Sequence, residues 1–156
     1  MTSPPGRAAR RTPALVAAAA LAAGLVAGCS SDPQQAYCAT VEKHQAELGA
    51  IIGSGERDAL LQARPIYEDL AEDAPRDIAG EWRTVLRSID SVEAAFDEAG
   101  VDPSSYDPEN PPPGLDDEER ADLERAAAGL LDPRTRKALA EVEQHALDVC
   151  KTPLSL

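Results

Sequence analysis

Between Ile78 and Phe96 the chain places Ile78, Trp82, Val85, Ile89, Val92 and Phe96 at spacings of 4, 3, 4, 3 and 4. An apolar residue every third or fourth position lies on one face of an α-helix, so this run predicts a long helix with a heptad-like seam. Pro75 is placed to open it, and Gly100 to close it with Val101 folding back behind. At about 24 residues it would extend roughly 36 Å, and so long a seam needs partners along its whole length.

Four further stretches carry the same period. The first follows Asp32 as N-cap and Pro33 as its opening residue. Its apolar face is Tyr37, Val41, His44, Leu48 and Ile51, and Gly53 ends it. The second runs from about Glu56 to Asp73 with Leu60, Leu61, Ile66, Tyr67 and Leu70, and Pro65 in its middle should kink it or split it in two. The fourth starts at Asp116, with Glu119 three residues on as in a capping box, and carries Leu123, Ala126, Ala127, Leu130 and Leu131. Asp132-Pro133 ends it and starts a fifth, with Leu139, Val142, Ala146 and Val149 on one face. No strand pattern occurs, and the expected class is all-α: an antiparallel bundle of four to five helices over residues 34–152. One segment interrupts it. Residues 101–114 hold Pro103, Pro108, Pro111, Pro112 and Pro113 and read as an extended or disordered linker.

Composition changes this picture at the N-terminus. Arg7, Arg10 and Arg11 precede the uncharged run Ala14 to Ala27, the layout of an export signal, and that run is shorter than the roughly 20 residues that span a bilayer. Val26-Ala27-Gly28-Cys29 follows, then Ser30-Ser31-Asp32-Pro33. This resembles the bacterial lipobox, an aliphatic residue and two small ones before a cysteine. The resemblance implies cleavage between Gly28 and Cys29, a diacylglyceryl group and an N-acyl chain on Cys29, and residues 29–33 as tether. Two or more acyl chains hold stably where one would not. The alternative is an ordinary secretory signal at residues 1–28 with Cys29 incidental. The expected location is the extracytoplasmic face of the cell membrane.

Without those 28 residues, which carry three arginines and no acid, 128 remain and formal net charge moves from −13 to −16. Such acidity excludes a general nucleic-acid binder and favours a basic or cationic envelope partner. Alanine supplies 19 of the 128, and Val, Ile, Leu, Phe, Trp, Tyr and Met together only 29, so the core is thin in large side chains. With Cys29 acylated, Cys38 and Cys150 form an even pair in an oxidising compartment, which predicts a disulfide; two free thiols or a redox pair are the alternatives, without a C-x-x-C to support the latter. A bridge across about 110 residues is worth roughly 4 to 5 kcal/mol in chain entropy. It would set the first and last helices antiparallel.

That pairing would bring His44 and His145, six and five residues from their cysteines, to similar depth, with Glu47 and Glu141 one turn away. Two imidazoles with carboxylates are a conceivable divalent-metal set. The plainer expectation is a partly buried His44, a surface His145 and no metal. The Glu-x-x-His pattern of di-iron bundles is missing, since Val41 and Val142 stand at the i−3 positions. Serine-nucleophile, P-loop, dinucleotide and EF-hand signatures are also missing. The run Asp116-Asp117-Glu118-Glu119 reads as acid at a helix N-terminus.

Ala74-Pro75-Arg76-Asp77-Ile78 through Trp82, with Phe96-Asp97-Glu98-Ala99-Gly100-Val101-Asp102-Pro103, resembles small actinobacterial lipoproteins and secreted helical proteins of unknown function. Those share an early and a late cysteine, an Ala-Pro-x-x-Ile helix opening and a long helix ending Ala-Gly-hydrophobic-Asp. The resemblance implies an anchored helical domain with no catalytic residues to carry over. The expected function is therefore a non-enzymatic interaction or accessory module, with no cofactor beyond the lipid on Cys29. The alternatives are a small-ligand or divalent-metal-binding lipoprotein using the His44/His145 region, or a plain envelope spacer.

Overall fold

The protein is described by a computed structural model over residues 32–154. The signal segment, the Gly28–Cys29 cleavage site, lipidated Cys29 and most of the tether lie outside the described residues. Helix α1 (Pro33–Gly53) begins where the cap residues predict: the Gln34 N–H donates to the Asp32 carboxylate at 3.0 Å and Pro33 occupies the first position. Tyr37, Val41, His44 and Leu48 form its buried face.

The second stretch splits rather than kinks, into α2 (Ala59–Gln62) and α3 (Arg64–Glu72). Pro65 has no N–H to give, so the ladder breaks and re-registers, with Ile66 and Tyr67 both donating to the Ala63 carbonyl at 3.0 and 3.1 Å. Helix α4 (Ala79–Ala99) starts later than expected, because Pro75 heads a separate turn whose carbonyl accepts the Ile78 and Ala79 N–H groups at 3.1 and 3.0 Å. It has 21 residues instead of about 24. Its end follows the Schellman pattern: Gly100 sits at φ 62° and donates to Asp97, while Val101 donates back to Phe96 at 3.1 Å.

Helix α5 (Asp117–Leu130) opens on the expected capping box, with the Glu118 and Glu119 N–H groups on Asp116 and the Asp116 N–H on Glu119, all at 2.9 Å. Asp132 caps α6 (Pro133–His145) through the Arg134 N–H at 2.8 Å. The last stretch then widens into a π turn, Ala146–Cys150, that left-handed Lys151 (φ 59°) closes. No strand occurs among the described residues, and the fold is all-helical.

Helix α4 packs against α3, α5 and α6. The first part of its seam (Trp82, Val85, Ile89) joins Tyr37, Leu48, Tyr67, Leu70, Val142 and Leu154 in the main core. Its last part, Val92 and Ala95, faces Leu123 and Ala126 of α5 in a smaller one. Arg64 ties α3 to α4 from the surface, with Asp90 at 2.8 Å and Glu93 at 3.1 Å.

Cys38 and Cys150 are bridged, their Cα atoms 5.1 Å apart. The inference drawn from the bridge needs correction. Helix α1 meets the π turn but no Cα of α1 comes within 8 Å of one in α6, so the expected close pairing of the first and last helices is limited to the π turn. Tyr37 stands between them, its ring edge-on to His145 at 5.7 Å and its hydroxyl accepting from the Trp82 indole at 3.2 Å.

The expected linker is a second correction. Residues 101–114 form a strap of successive turns. Asp102 and Asp107 cap two of them, accepting the Ser104 and Glu109 N–H groups at 2.9 and 3.0 Å. Tyr106 lies edge-on to Phe96 of α4 at 5.3 Å, and Arg57 donates to the Tyr106 carbonyl at 3.0 Å. One aromatic anchor and two aspartate-capped turns hold what proline content alone would leave extended.

Candidate functional site

The two histidines have different carboxylate neighbours. His44, 8% exposed on α1, has Nε2 2.9 Å from Asp69 of α3, and Lys43 donates to the same carboxylate oxygen at 3.3 Å. The hydrogen bond from His44, then that from Lys43, holds the Asp69 carboxyl below its ordinary range. The other imidazole nitrogen, Nδ1, is buried without a hydrogen bond, 3.7 Å from Glu47.

His145 is only partly exposed: its side chain is 15% exposed, against Tyr37, with Asp77 4.0 Å away. Glu141 is engaged by Lys137 of its own helix. Among the described residues no group of three or more His, Cys, Asp or Glu side chains could hold a metal ion. Of the four candidate metal ligands, His44 lies 3.7 Å from Glu47, while Glu141 and His145 have other neighbours, Lys137 and Asp77. Asp69 and Asp77, the real partners, carried no sequence signal that set them apart from the other acids.

A cleft of about 390 Å³ opens instead between α4, α5 and the strap. Val92 and Phe96 form one wall, Leu123 and Leu130 the second, and Pro103 and Tyr106 the third. Arg57 and Glu124 stand at its edge. The Arg57 guanidinium is already directed to the Tyr106 carbonyl and lies 3.9 Å from Asp107, so it braces the strap. The lining contains no histidine, cysteine or serine. Its chemistry is the burial of apolar surface, at about 25 cal/mol per Å² removed from water.

Reading residues 101–114 as a linker hid this cleft. The signal that could have revealed it is Tyr106, a lone aromatic among prolines and acids, where an unpacked segment would have no use for one. No family model, no curated protein and no solved structure matches the chain.

Proposed function

We propose that the protein is a lipoprotein of the extracytoplasmic face of the cell membrane, anchored through Cys29, that works as a non-enzymatic interaction module. The signal segment 1–28, the Val26-Ala27-Gly28-Cys29 sequence and the likeness to small actinobacterial lipoproteins support the anchor. The cleft of about 390 Å³ carries the interaction reading, because its lining is mostly apolar and suited to hold an apolar side chain. The helices gathered about α4 are read as a bundle that presents it. Arg57, which braces the strap beside the cleft, follows the far end of α1, whose 21 residues extend about 31 Å from the tether.

The partner is an envelope protein segment with an apolar side chain flanked by Lys or Arg. A charge of −16 over residues 29–156 attracts such a segment and repels acidic ones. One buried large apolar side chain contributes roughly 1.5–3 kcal/mol, so the charge is needed to select and retain the partner. A photo-cross-linking residue in place of Ala127 should capture one reproducible basic partner in cells, and Leu130→Asp should abolish that capture. Capture of nothing reproducible, or capture indifferent to Leu130→Asp, overturns the interaction reading. Cys29→Ala should end palmitate labelling, and continued labelling overturns the anchor. A cleft of this volume also falls in the range of small-molecule pockets, so a small apolar ligand is the second reading, moved here from the histidines.

A further inference from the structure

A second cleft, of about 280 Å³, lies where α4 meets the end of α5 and the start of α6. We propose that it binds an oxyanion, a phosphate or a phosphate ester. Residues 29–156 hold twelve Lys and Arg against 28 Asp and Glu. Yet Arg87, Arg125 and Arg134 all line this one cleft, with a single carboxylate, Asp132. The local sign of charge is therefore opposite to that of the molecule.

The carboxylate is committed, since it accepts the Arg134 backbone N–H at 2.8 Å and caps α6. Arg125 is paired with Asp122. Among the described residues Arg87 and Arg134 have no carboxylate within 4.0 Å, as is also true of Arg76, Arg83, Arg136 and Lys151, but of these six only Arg87 and Arg134 line this cleft. Two guanidinium groups without counter-ions that share one cleft can be met by an anion supplied from outside.

The cleft is held in shape before any ligand arrives. Arg87 Nε donates to the Arg83 carbonyl at 3.1 Å and Nη2 to the Thr84 hydroxyl at 3.3 Å. These two bonds fix its stem on α4 and leave three of its five N–H donors free. The Ser88 and Thr135 hydroxyls are 2.9 Å apart, and Thr135, 4% exposed, locks the start of α6 to α4. A guanidinium offers paired N–H groups that match two oxygens of a phosphate at once, which a lysine cannot do. The volume lies just below that of drug-sized pockets, which suits an ion or a short ester. The acidic remainder of the molecule opposes the anion at long range, so affinity should be modest and should fall with salt.

Calorimetry on the full-length chain in a non-ionic detergent tests this with three probes: inorganic phosphate, glycerol 3-phosphate and glycerophosphoglycerol, the deacylated headgroup of an anionic phospholipid. Saturable heat is expected with at least one. Arg87→Gln and Arg134→Gln should each weaken it about tenfold, equivalent to about 1.4 kcal/mol. Arg76→Gln, which removes a cation outside the cleft, should leave it unchanged, and circular dichroism should show the helices intact in all three variants. Tightest binding of glycerophosphoglycerol assigns the site to a lipid headgroup, and tightest binding of phosphate or the monoester assigns it to a soluble ligand. The proposal is overturned if no probe gives saturable heat, or if Arg76→Gln weakens binding as much as the cleft variants.

Discussion

Tyr37 and Tyr67 are both fully buried beside Trp82, yet their hydroxyl groups are in opposite situations. Tyr37 accepts the Trp82 indole N–H at 3.2 Å, whereas the Tyr67 hydroxyl is buried with no hydrogen-bond partner among the described residues. Tyr37→Phe leaves the indole N–H unsatisfied and should cost roughly 1–3 kcal/mol in urea unfolding. Tyr67→Phe removes a group that is desolvated without compensation, and should be neutral or stabilise by about 1 kcal/mol. Equal losses for both would contradict this assignment. Burial also raises both phenols, Tyr67 from 10.0 to about 12. Since the unfolded chain ionises first, the contribution of Tyr67 is complete below about pH 10 and disappears as pH rises towards 12. Wild-type stability should therefore fall above pH 10 more steeply than that of Tyr67→Phe, as read from urea midpoints across the alkaline range.

The elements that read correctly are those whose limits depend on neighbours in sequence. Asp32, Asp116 and Asp132 each cap a helix by accepting N–H groups two or three residues on, and Gly100 ends α4 by turning left-handed. Pro65 divides its helix for an equally local reason. The strap obeyed a different rule. Prolines predict where a chain will not be helical, but not whether it packs. Its order comes from Tyr106 on Phe96 and from Arg57, residues distant in sequence. Tyr106→Ala should therefore release the strap without unfolding the helices. Limited proteolysis should cut residues 101–114 many times faster in that variant while its helical circular dichroism stays unchanged. If the cutting rate does not change, the prolines and aspartate turns hold the strap by themselves.

At the scale of the molecule the disulfide is the longest-range constraint, with Cys38 and Cys150 112 residues apart. For such a loop the chain-entropy estimate is roughly 4 to 5 kcal/mol, a large share of the 5–15 kcal/mol that a typical domain has in total. Replacing both cysteines by serine should lower the urea midpoint accordingly, and the mild reduction of wild type should do the same. A double-serine chain as stable as wild type would show that the core, thin in large side chains, needs no covalent closure. The pairing was legible because, with Cys29 set aside, a count of cysteines leaves only Cys38 and Cys150 to join. The course of the helices beyond the bridge was not, because it depends on contacts between residues distant in sequence, such as Tyr37 with His145 and Trp82.

The sequence by itself determined the helices, their caps, a kink or break at Pro65 and the cysteine pair. Each depends on hydrogen bonds within a turn, on the 3.6-residue period or on simple counting. Only the tertiary structure decided that His44 and His145 find separate carboxylates, that the proline-rich segment folds over α4, and that two clefts of opposite character result. One is apolar because the strap covers the smaller core incompletely; the other is cationic because three helices bring arginines together in an acidic chain. Those outcomes belong to side chains far apart in sequence, and their meeting depends on how the helices pack.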